Sequence, residues 1–390
     1  MLLIRRNKRT KSDMKLLFAS DTLKGSLSSR EAALLLDKAA KSVFPDAETM
    51  LVTMADGGEG TVDAVLDASR GKKETCLVHD PLMGMTEAYY AGIKGDLAVM
   101  EMAAASGLTL IDGSLRDAKH TTSYGTGEMI LDAVEKGYKY IAIGIGGSAT
   151  NDGGMGCLRA LGAKFYDDGG RELAGRGIDL CSLSAIDLSG LDDRLMDISF
   201  TVMSDVTNPL TGENGATMVY GPQKGADVET LKMLEEGMCR YRDILNSLTG
   251  IDCDNVPGAG AAGGMGAAMY AVLGAEMRSG IETILDLVGF DKKLEGTDLV
   301  VTGEGRADGQ SASGKVIQGV GMRAKAAGVP AVALVGTVGD GWEAVLSCGI
   351  SRIFCIKDED MSLEYAMENA KDLYYDTALR IFESYKDGSL

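Results

Sequence analysis

The chain has 390 residues, of which 45% are hydrophobic and 25% are charged, so it is long enough for two compact domains and unlike a disordered protein. Its 57 acidic residues outnumber its 39 basic ones, and the resulting charge of −18 disfavours nucleic acid or an anionic membrane as a partner. The sequence contains no apolar run of membrane-spanning length and no secretory leader, which predicts a cytoplasmic protein.

The first predicted elements alternate between strand and helix. An apolar strand at 15–20 precedes a helix that opens with Ser28 and Glu31 at capping-box spacing. A second strand at 51–54 runs into a glycine-rich turn and then a helix at 61–69. This order is typical of an α/β protein with a parallel sheet.

Three more apolar strands are predicted near the end of the chain, at 298–302, 331–336 and 352–356, again separated by helices. Five strands divided between the two ends of the chain predict one doubly wound parallel sheet with a long insertion. We therefore expect a basic disordered arm followed by a discontinuous domain and an inserted α/β domain, with the boundaries 1–13, then 14–73 with 283–390, and 74–282.

An insertion inside a parallel sheet creates a cleft at the carboxyl ends of the strands, where ligands usually bind. Three acidic clusters follow predicted strands and should gather at that edge, namely 20–24, 56–59 and 303–308. Converging carboxylates repel one another in a cleft of low dielectric constant, so the clusters favour a bound Mg²⁺. Helix caps and solvated turns explain each single cluster as well.

The densest glycine segment is 144–154, which follows a strand-like stretch. Its glycines let backbone amides approach an anion, and its hydroxyl groups add donors. Gly144, Gly146 and Ala149 also fit a loose dinucleotide fingerprint, and a tight structural turn is a third interpretation.

A second glycine pattern, Gly309 with Gly314 and Lys315, has the spacing of a phosphate-binding loop. Val316 stands where that loop needs a magnesium-binding hydroxyl, so we interpret the match as a coincidence. Lys315 still offers a positive charge to a phosphate.

The predicted insertion carries further polar turns. Segment 204–210 places a carboxylate, a hydroxyl and an amide beside a proline, and 221–225 supplies Lys224 on a rigid turn. The glycines of 258–266 precede an apolar helix whose first amides could bind an anion, although close backbone packing explains them almost as well. The hydroxyl-rich segment 121–128 suits a small polyol or carboxylate, or equally helix caps.

Taken together, these motifs resemble the type I glycerate kinase family of bacteria. The resemblance covers the chain from Met14 onward and rests on segments 20–28, 55–61, 143–154, 205–210, 221–226 and 303–315. It implies a flavodoxin-like domain interrupted by a second α/β domain. It also implies ATP and Mg²⁺ as cofactors and phosphorylation of D-glycerate, usually at the 2-hydroxyl, to give 2-phosphoglycerate. Ser20 and Thr22 depart from the residues common in the family's first motif.

The resemblance suggests a role for each polar motif, because phosphoryl transfer requires alignment and charge neutralisation. The expected catalytic residues are Asp21, Lys24, Asp56 and Asp205. Substrate is expected to contact Arg306, through a bidentate guanidinium, and Ser123, Thr207 and Asn208. The expected nucleotide contacts are Gly146, Gly147, Ser148, Thr150, Lys224, Gly263, Gly264 and Lys315, and the expected metal ligands are Asp56, Glu59 and Asp308.

Two other classes of function remain open at this stage. A nicotinamide-dependent oxidoreductase would use the Gly144 loop, and a glycerate sensor would bind the acid without consuming ATP. Neither class explains why acidic and lysine motifs recur at several predicted strand ends. A small molecule is the expected partner, and homo-oligomerisation is left open.

Overall fold

The computed structural model describes residues 14–23, 25–55, 57–58, 60–69, 71–312 and 314–390. The predicted arm at 1–13 and the predicted site residues Lys24, Asp56 and Glu59 lie outside the described residues. The chain divides into two compact units. Unit 1 comprises Met1–Asp56 and Ile281–Leu390, and unit 2 comprises Gly57–Gly280.

The secondary structure of the described ranges is numbered here along the chain. The strands are β1 (Lys15–Ser20), β2 (Glu48–Leu51), β3 (Lys72–His79), β4 (Met85–Ile93), β5 (Leu97–Glu101), β6 (Tyr140–Gly144), β7 (Lys164–Asp167), β8 (Leu183–Asp187), β9 (Ser199–Met203), β10 (Glu276–Arg278), β11 (Leu299–Gly303), β12 (Arg306–Ala307), β13 (Ala331–Val335), β14 (Thr337–Val338) and β15 (Ile350–Cys355). The helices are α1 (Ser29–Val43), α2 (Thr61–Ser69), α3 (Ala103–Ser106), α4 (Tyr124–Glu135), α5 (Met155–Ala160), α6 (Ala216–Tyr220), α7 (Val228–Thr249), α8 (Ala261–Leu273), α9 (Gly280–Leu287), α10 (Phe290–Leu294), α11 (Val316–Ala326), α12 (Ala344–Ser347), α13 (Leu363–Glu368) and α14 (Ala370–Asp387). None of these helices combines the length and the apolar character needed to cross a bilayer.

The sheet of unit 1 has the strand order β2-β1-β11-β13-β15, and all its neighbours pair in parallel. Counted within this unit, the order is 2-1-3-4-5, which is the flavodoxin-like order. The structure therefore confirms the predicted sheet, including its division between the two ends of the chain. The second strand lies at Glu48–Leu51, a few residues before the predicted 51–54.

The central strands β11 and β13 of unit 1 are buried along their whole length because helices cover both faces of the sheet, whereas the edge strands β2 and β15 carry exposed polar residues. Alternate residues such as Leu16 and Phe18 face a core that also contains Tyr374 and Phe382 from α14. The predicted capping box at the start of α1 is present, since Ser28 Oγ accepts from Glu31 N at 3.2 Å and Glu31 Oε2 accepts from Ser28 N at 3.0 Å.

The main sheet of unit 2 has the order β10-β9-β6-β5-β4-β3. Its strands β3, β4 and β5 are antiparallel, and β5, β6, β9 and β10 are parallel. The parallel half presents the carboxyl ends of β6 and β9 at one edge, where the glycine-rich segment begins.

The predicted boundary between the two domains needs a correction. Unit 2 begins at Gly57 rather than at 74, so α2 belongs to it. The reason is that α2 packs on β4 and β5, and the backbone N–H of Val62 donates to Glu101 Oε1 at 2.8 Å. The far boundary, at 280, lies two residues from the predicted 282.

Candidate functional site

A cavity of about 360 Å³ opens at the carboxyl ends of the strands of unit 1. It lies beside the ends of β1 and β11, the neighbouring strands from which the sheet order runs in opposite directions. This topological switch point is where open α/β sheets bind their ligands. All the lining residues belong to unit 1: Asp21, Thr22, Leu23, Ser26, Glu304, Gly305, Arg306, Lys315, Gly336, Thr337, Ile356, Leu363, Ala366 and Met367.

One end of the cavity, the charged end, is formed by Asp21, Glu304, Arg306 and Lys315. Asp21 follows β1, and its backbone N–H donates to Gly303 O at 2.8 Å. Glu304 follows β11, and its carbonyl accepts from Gly336 N at 3.1 Å. Backbone contacts between adjacent strand ends therefore hold both carboxylates at one edge of the sheet.

Glu304 is the most unusual residue of the charged end. Only 4% of its surface is exposed, and its Oε1 has no hydrogen-bond partner among the described residues. Its Oε2 lies 3.7 Å from Lys315 Nζ. Burial raises the pKa of Glu304 above its usual value, although Ser311 and Lys315 act in the opposite direction. An unmet buried acceptor is costly in a folded protein, and a ligand with a donor group removes that cost.

The two cations of the charged end are more accessible. The side chain of Lys315 is 31% exposed and immediately precedes α11. The side chain of Arg306 is 64% exposed, and its Nε lies 3.7 Å from Asp308 Oδ2. The structure thus brings together three of the predicted site residues, Asp21, Arg306 and Lys315. The predicted metal ligand Asp308 neighbours them, and its Oδ1 accepts from Gln310 N at 3.0 Å.

The cavity also has apolar lining residues, together called the apolar wall here, namely Leu23, Ile356, Leu363, Ala366 and Met367. Two of these side chains are unusually open to solvent for their size, since Leu363 is 57% and Met367 is 40% exposed. The cavity therefore offers apolar surface and charged groups to the same ligand, the combination typical of sites for small organic molecules.

The glycine-rich segment of unit 2 follows β6 and turns back on itself. Gly146 and Gly147 are exposed, whereas Ser148 is 5% exposed and Thr150 is fully buried. Lys224 is also buried, and its Nζ donates to Ser148 Oγ at 3.0 Å and to Thr150 O at 2.6 Å. Lys224 thus bonds to the Ser148 hydroxyl and the Thr150 carbonyl inside unit 2, whereas Thr150 Oγ1 has no partner among the described residues. The phosphate contacts predicted at these residues stay predictions.

Burial also changes the acid–base properties of Lys224. Desolvation lowers the pKa of this lysine to about 7, and the negative charge of Asp152 acts in the opposite direction. A lysine in this state serves poorly as a fixed positive charge for phosphate at neutral pH. Its hydrogen bonds to Ser148 and Thr150 hold the glycine-rich segment in place.

Asp152 organises the same segment from its other side. The carboxylate is fully buried and accepts from the N–H and the hydroxyl of Ser123, both at 2.7 Å, and from the N–H groups of Gly154 and Gly156. Ser123 Oγ in turn accepts from Cys157 N at 2.9 Å. Ser123, which the sequence predicts to contact substrate, is fully buried and engaged in this network, and its substrate contact stays a prediction.

Gly263 and Gly264, which the sequence predicts to approach phosphate, lie in a closely packed part of unit 2. Both have positive φ angles, at +67° and +94°. A Cβ on Gly263 would lie 2.1 Å from Thr150 O, and one on Gly264 would lie 2.7 Å from the Cα of Gly153. These glycines are required because two backbones of unit 2 touch, which is the alternative that the sequence left open.

The remaining predicted residues of unit 2 follow β9. Asp205 Oδ1 accepts from Ser279 Oγ at 2.8 Å and from Gly280 N at 3.0 Å. Thr207 is exposed, and Asn208 is partly buried, with its amide bonded to Asn214 O and Tyr220 OH. Thr207 and Asp205 remain candidates for a ligand contact, whereas the hydrogen bonds of Asn208 position the turn.

The predicted metal site receives no geometry from the structure. Asp56 and Glu59 are outside the described residues, and the described part of the chain holds no group of three or more potential metal-ligating side chains. Mg²⁺ usually takes one or two carboxylates together with substrate phosphates and water. The carboxylate of Asp21 at the charged end is a donor of this kind.

Sequence reasoning included Glu304 in an acidic cluster but gave it no role. The sequence feature that could have identified Glu304 is its position directly after β11, a buried strand that borders the switch point. Its burial depends on residues far along the chain, on α11 and on the loop after β13, which no local pattern reveals.

The fold and cavity define a doubly wound α/β protein with a small-molecule site at the switch point of a flavodoxin-like sheet. The sequence profile of the Glycerate kinase family matches residues 16–386, and the chain belongs to that family. It is 45% identical to the Glycerate 2-kinase of Escherichia coli (strain K12), over 92% of this chain and 94% of that protein.

Other relatives agree with this assignment. The chain is 43% identical to a Glycerate kinase of Bacillus cereus, over 96% of this chain and 99% of that protein. A crystal structure from Salmonella typhimurium LT2, assigned as glycerate kinase 2, superposes with a TM-score of 0.85 at 41% identity. It covers 97% of this chain, and this chain covers 99% of it.

Proposed function

We propose that the protein transfers the terminal phosphoryl group of ATP to D-glycerate, at the 2-hydroxyl, to give 2-phosphoglycerate and ADP. The observation that carries this proposal is the 45% identity, over almost the whole chain, to a protein named Glycerate 2-kinase. The cavity at the switch point supports it, since its charged end offers carboxylates and cations to one polar ligand.

The chemistry asks the protein to align a hydroxyl with the γ-phosphate, to neutralise charge and to exclude water. Asp21 is placed to accept the proton of the substrate hydroxyl or to hold Mg²⁺, which neutralises phosphate charge when bound. Arg306 extends an exposed guanidinium that fits the glycerate carboxylate in bidentate fashion. Lys315 provides a second cation for phosphate.

Three further roles rest on the sequence alone. Lys24 would neutralise phosphate, Asp56 would bind the metal with Glu59, and Asp205 would contribute from unit 2. The involvement of unit 2 in the reaction of unit 1 stays a prediction. Single alanine substitutions at Asp21, Lys24, Asp56 and Asp205 test these roles. A variant that lacks a group needed in the transition state should turn over at least about a hundredfold more slowly than wild type.

The activity itself is tested by incubating the purified protein with Mg²⁺, ATP and D-glycerate. The phosphorus NMR spectrum of the product distinguishes phosphorylation at the 2-hydroxyl from phosphorylation at the 3-hydroxyl. L-glycerate is the matched control for stereochemistry. Formation of ADP without a phosphoglycerate signal, or no ADP at all, would contradict the proposal.

A further inference from the structure

The cavity of unit 1 is mismatched to glycerate alone. Glycerate has three carbons, a carboxylate and two hydroxyls, so it presents almost no apolar surface. The cavity measures about 360 Å³, and its apolar wall exposes Leu363 and Met367 to solvent. One exposed leucine is ordinary, but apolar residues that line a cavity beside charged groups suit a ligand with both an apolar face and polar groups.

The charged end has one unmet requirement of its own. Glu304 Oε1 is buried and lacks a donor among the described residues, while Oε2 faces Lys315. An ionised carboxylate is an acceptor only, so its natural partner in a ligand is a hydroxyl or an amino group. In nucleotide-binding α/β proteins, an acidic side chain near the switch point accepts a hydrogen bond from a ribose hydroxyl.

We infer that this cavity binds the nucleotide of the reaction, with the base on the apolar wall, a ribose hydroxyl donating to Glu304 Oε1 and phosphate beside Lys315. The inference rests on the proposed kinase activity and gives the nucleotide a location that differs from the glycine-rich segment of unit 2. There, the buried ammonium group of Lys224 already donates to the Ser148 hydroxyl and to the Thr150 carbonyl.

Unit 2 offers a rival location that makes a sharp comparison. A cavity of about 270 Å³ beside Gly147 is lined by Ala104 together with the carboxylates of Glu87 and Glu101. Lysine and arginine are absent from its lining. Phosphate would therefore meet carboxylates there without a cation from the lining, whereas the cavity of unit 1 supplies two cations.

Direct binding of ADP, measured by calorimetry without glycerate, tests the location. Ala366→Phe fills the apolar wall and should weaken ADP binding at least tenfold, while inorganic tripolyphosphate binds as before. The same substitution in the rival cavity, Ala104→Phe, is the matched control and should leave both affinities within about twofold of wild type. Met367→Trp repeats the test on a more exposed side chain if Ala366→Phe fails to fold.

The role of Glu304 is tested with deoxynucleotides. One of the two analogues, 2′-deoxy-ADP or 3′-deoxy-ADP, lacks the ribose hydroxyl that donates to Glu304. Wild type should bind ADP about tenfold more tightly than that analogue, because loss of the hydroxyl leaves the carboxylate unpaired. Glu304→Ala should reduce this preference to about twofold or less. Lys315→Met should weaken both ADP and tripolyphosphate.

The outcomes separate this inference from the proposed activity. If wild type phosphorylates glycerate but Ala104→Phe, rather than Ala366→Phe, blocks ADP, the location is wrong and the kinase assignment stands. If ADP binding follows the expected pattern without glycerate turnover, the activity is wrong and the location stands. Wild type that shows no ADP binding at millimolar concentration also overturns the inference.

Discussion

The charged end of the cavity in unit 1 and the buried polar cluster in unit 2 use similar residues in opposite ways. In unit 2, the charged groups of Lys224 and Asp152 are each bonded to partners inside the fold, although the Thr150 hydroxyl beside them has none among the described residues. In unit 1, Glu304 keeps an unmet acceptor and Arg306 extends into solvent. The contrast shows that similar charged residues in the two units differ in how much hydrogen-bonding capacity folding leaves to their charged groups.

The largest effect that separates the two regions is expected at Gly263. Gly263→Ala should cost more than about 4 kcal/mol in the free energy of unfolding, because its Cβ would overlap Thr150 O and its φ is positive. Gly170→Ala is the control, since φ is +77° there and nothing lies within 4 Å, so we expect a loss of about 1 kcal/mol. Chemical unfolding measures both, and equal losses would refute the close packing of the glycine segment.

A smaller loss is expected when the buried carboxylate of unit 2 is altered. Asp152→Asn should lower the free energy of unfolding by about 3 kcal/mol, because an amide cannot accept from four donors at once. Asp197→Asn, at an exposed position of the same unit, should change it by less than about 0.5 kcal/mol. A stable Asp152→Asn protein with altered affinity for ATP would instead indicate a ligand role.

The pH dependence of stability tests the state of Lys224. Burial lowers the pKa of this lysine to about 7, so between pH 7 and 10 the unfolded chain holds a proton that the folded protein has released. The stability contribution of Lys224 therefore increases with pH, by up to about 1.4 kcal/mol per pH unit. We expect the free energy of unfolding of wild type, measured relative to that of Lys224→Met, to increase from pH 7 to pH 8 and pH 9. A constant difference would mean that Lys224 stays charged.

The smallest expected effect on stability is at Glu304. Its contribution to stability decreases as pH rises, whereas that of Lys224 increases. Because burial raises the pKa of Glu304, the wild-type protein loses stability as pH rises above the ordinary value of 4.5 and through the raised pKa. Glu304→Gln removes that penalty and should be as stable as wild type at pH 8, or more stable by up to about 1 kcal/mol, with less advantage at pH 5. Glu359→Gln, an exposed change in the same unit, should show no such trend. A clear loss of stability at pH 8 would assign Glu304 a structural role.

The sequence predicts the sheet of unit 1 well because its information is local. The strands β1, β11 and β13 are largely apolar runs, and the start of α1 is marked by the capping residues Ser28 and Glu31. The position of α2 is different, since its amphipathic pattern shows which face is apolar but not which sheet covers that face. The helix therefore appeared to belong to the first domain.

The same distinction explains which site residues could be predicted. Asp21 and Arg306 follow adjacent parallel strands, so topology alone brings them to one edge. The pairing of Lys224 with Ser148 and Thr150 joins segments about 75 residues apart and involves donors that would suit a phosphate equally well. The burial of Glu304 likewise depends on tertiary packing and has no signature in the residues around it.

The neighbouring strands β1 and β11 have a consequence for the synthesis of the protein. Lys15 N donates to Asp298 Oδ2 across 283 positions of the chain. A ribosome therefore releases every residue of unit 2 before the central partner of β1 exists. During that interval the edge of β1 lacks the strand that will protect it, so nascent chains are exposed to wrong pairing until their last quarter emerges.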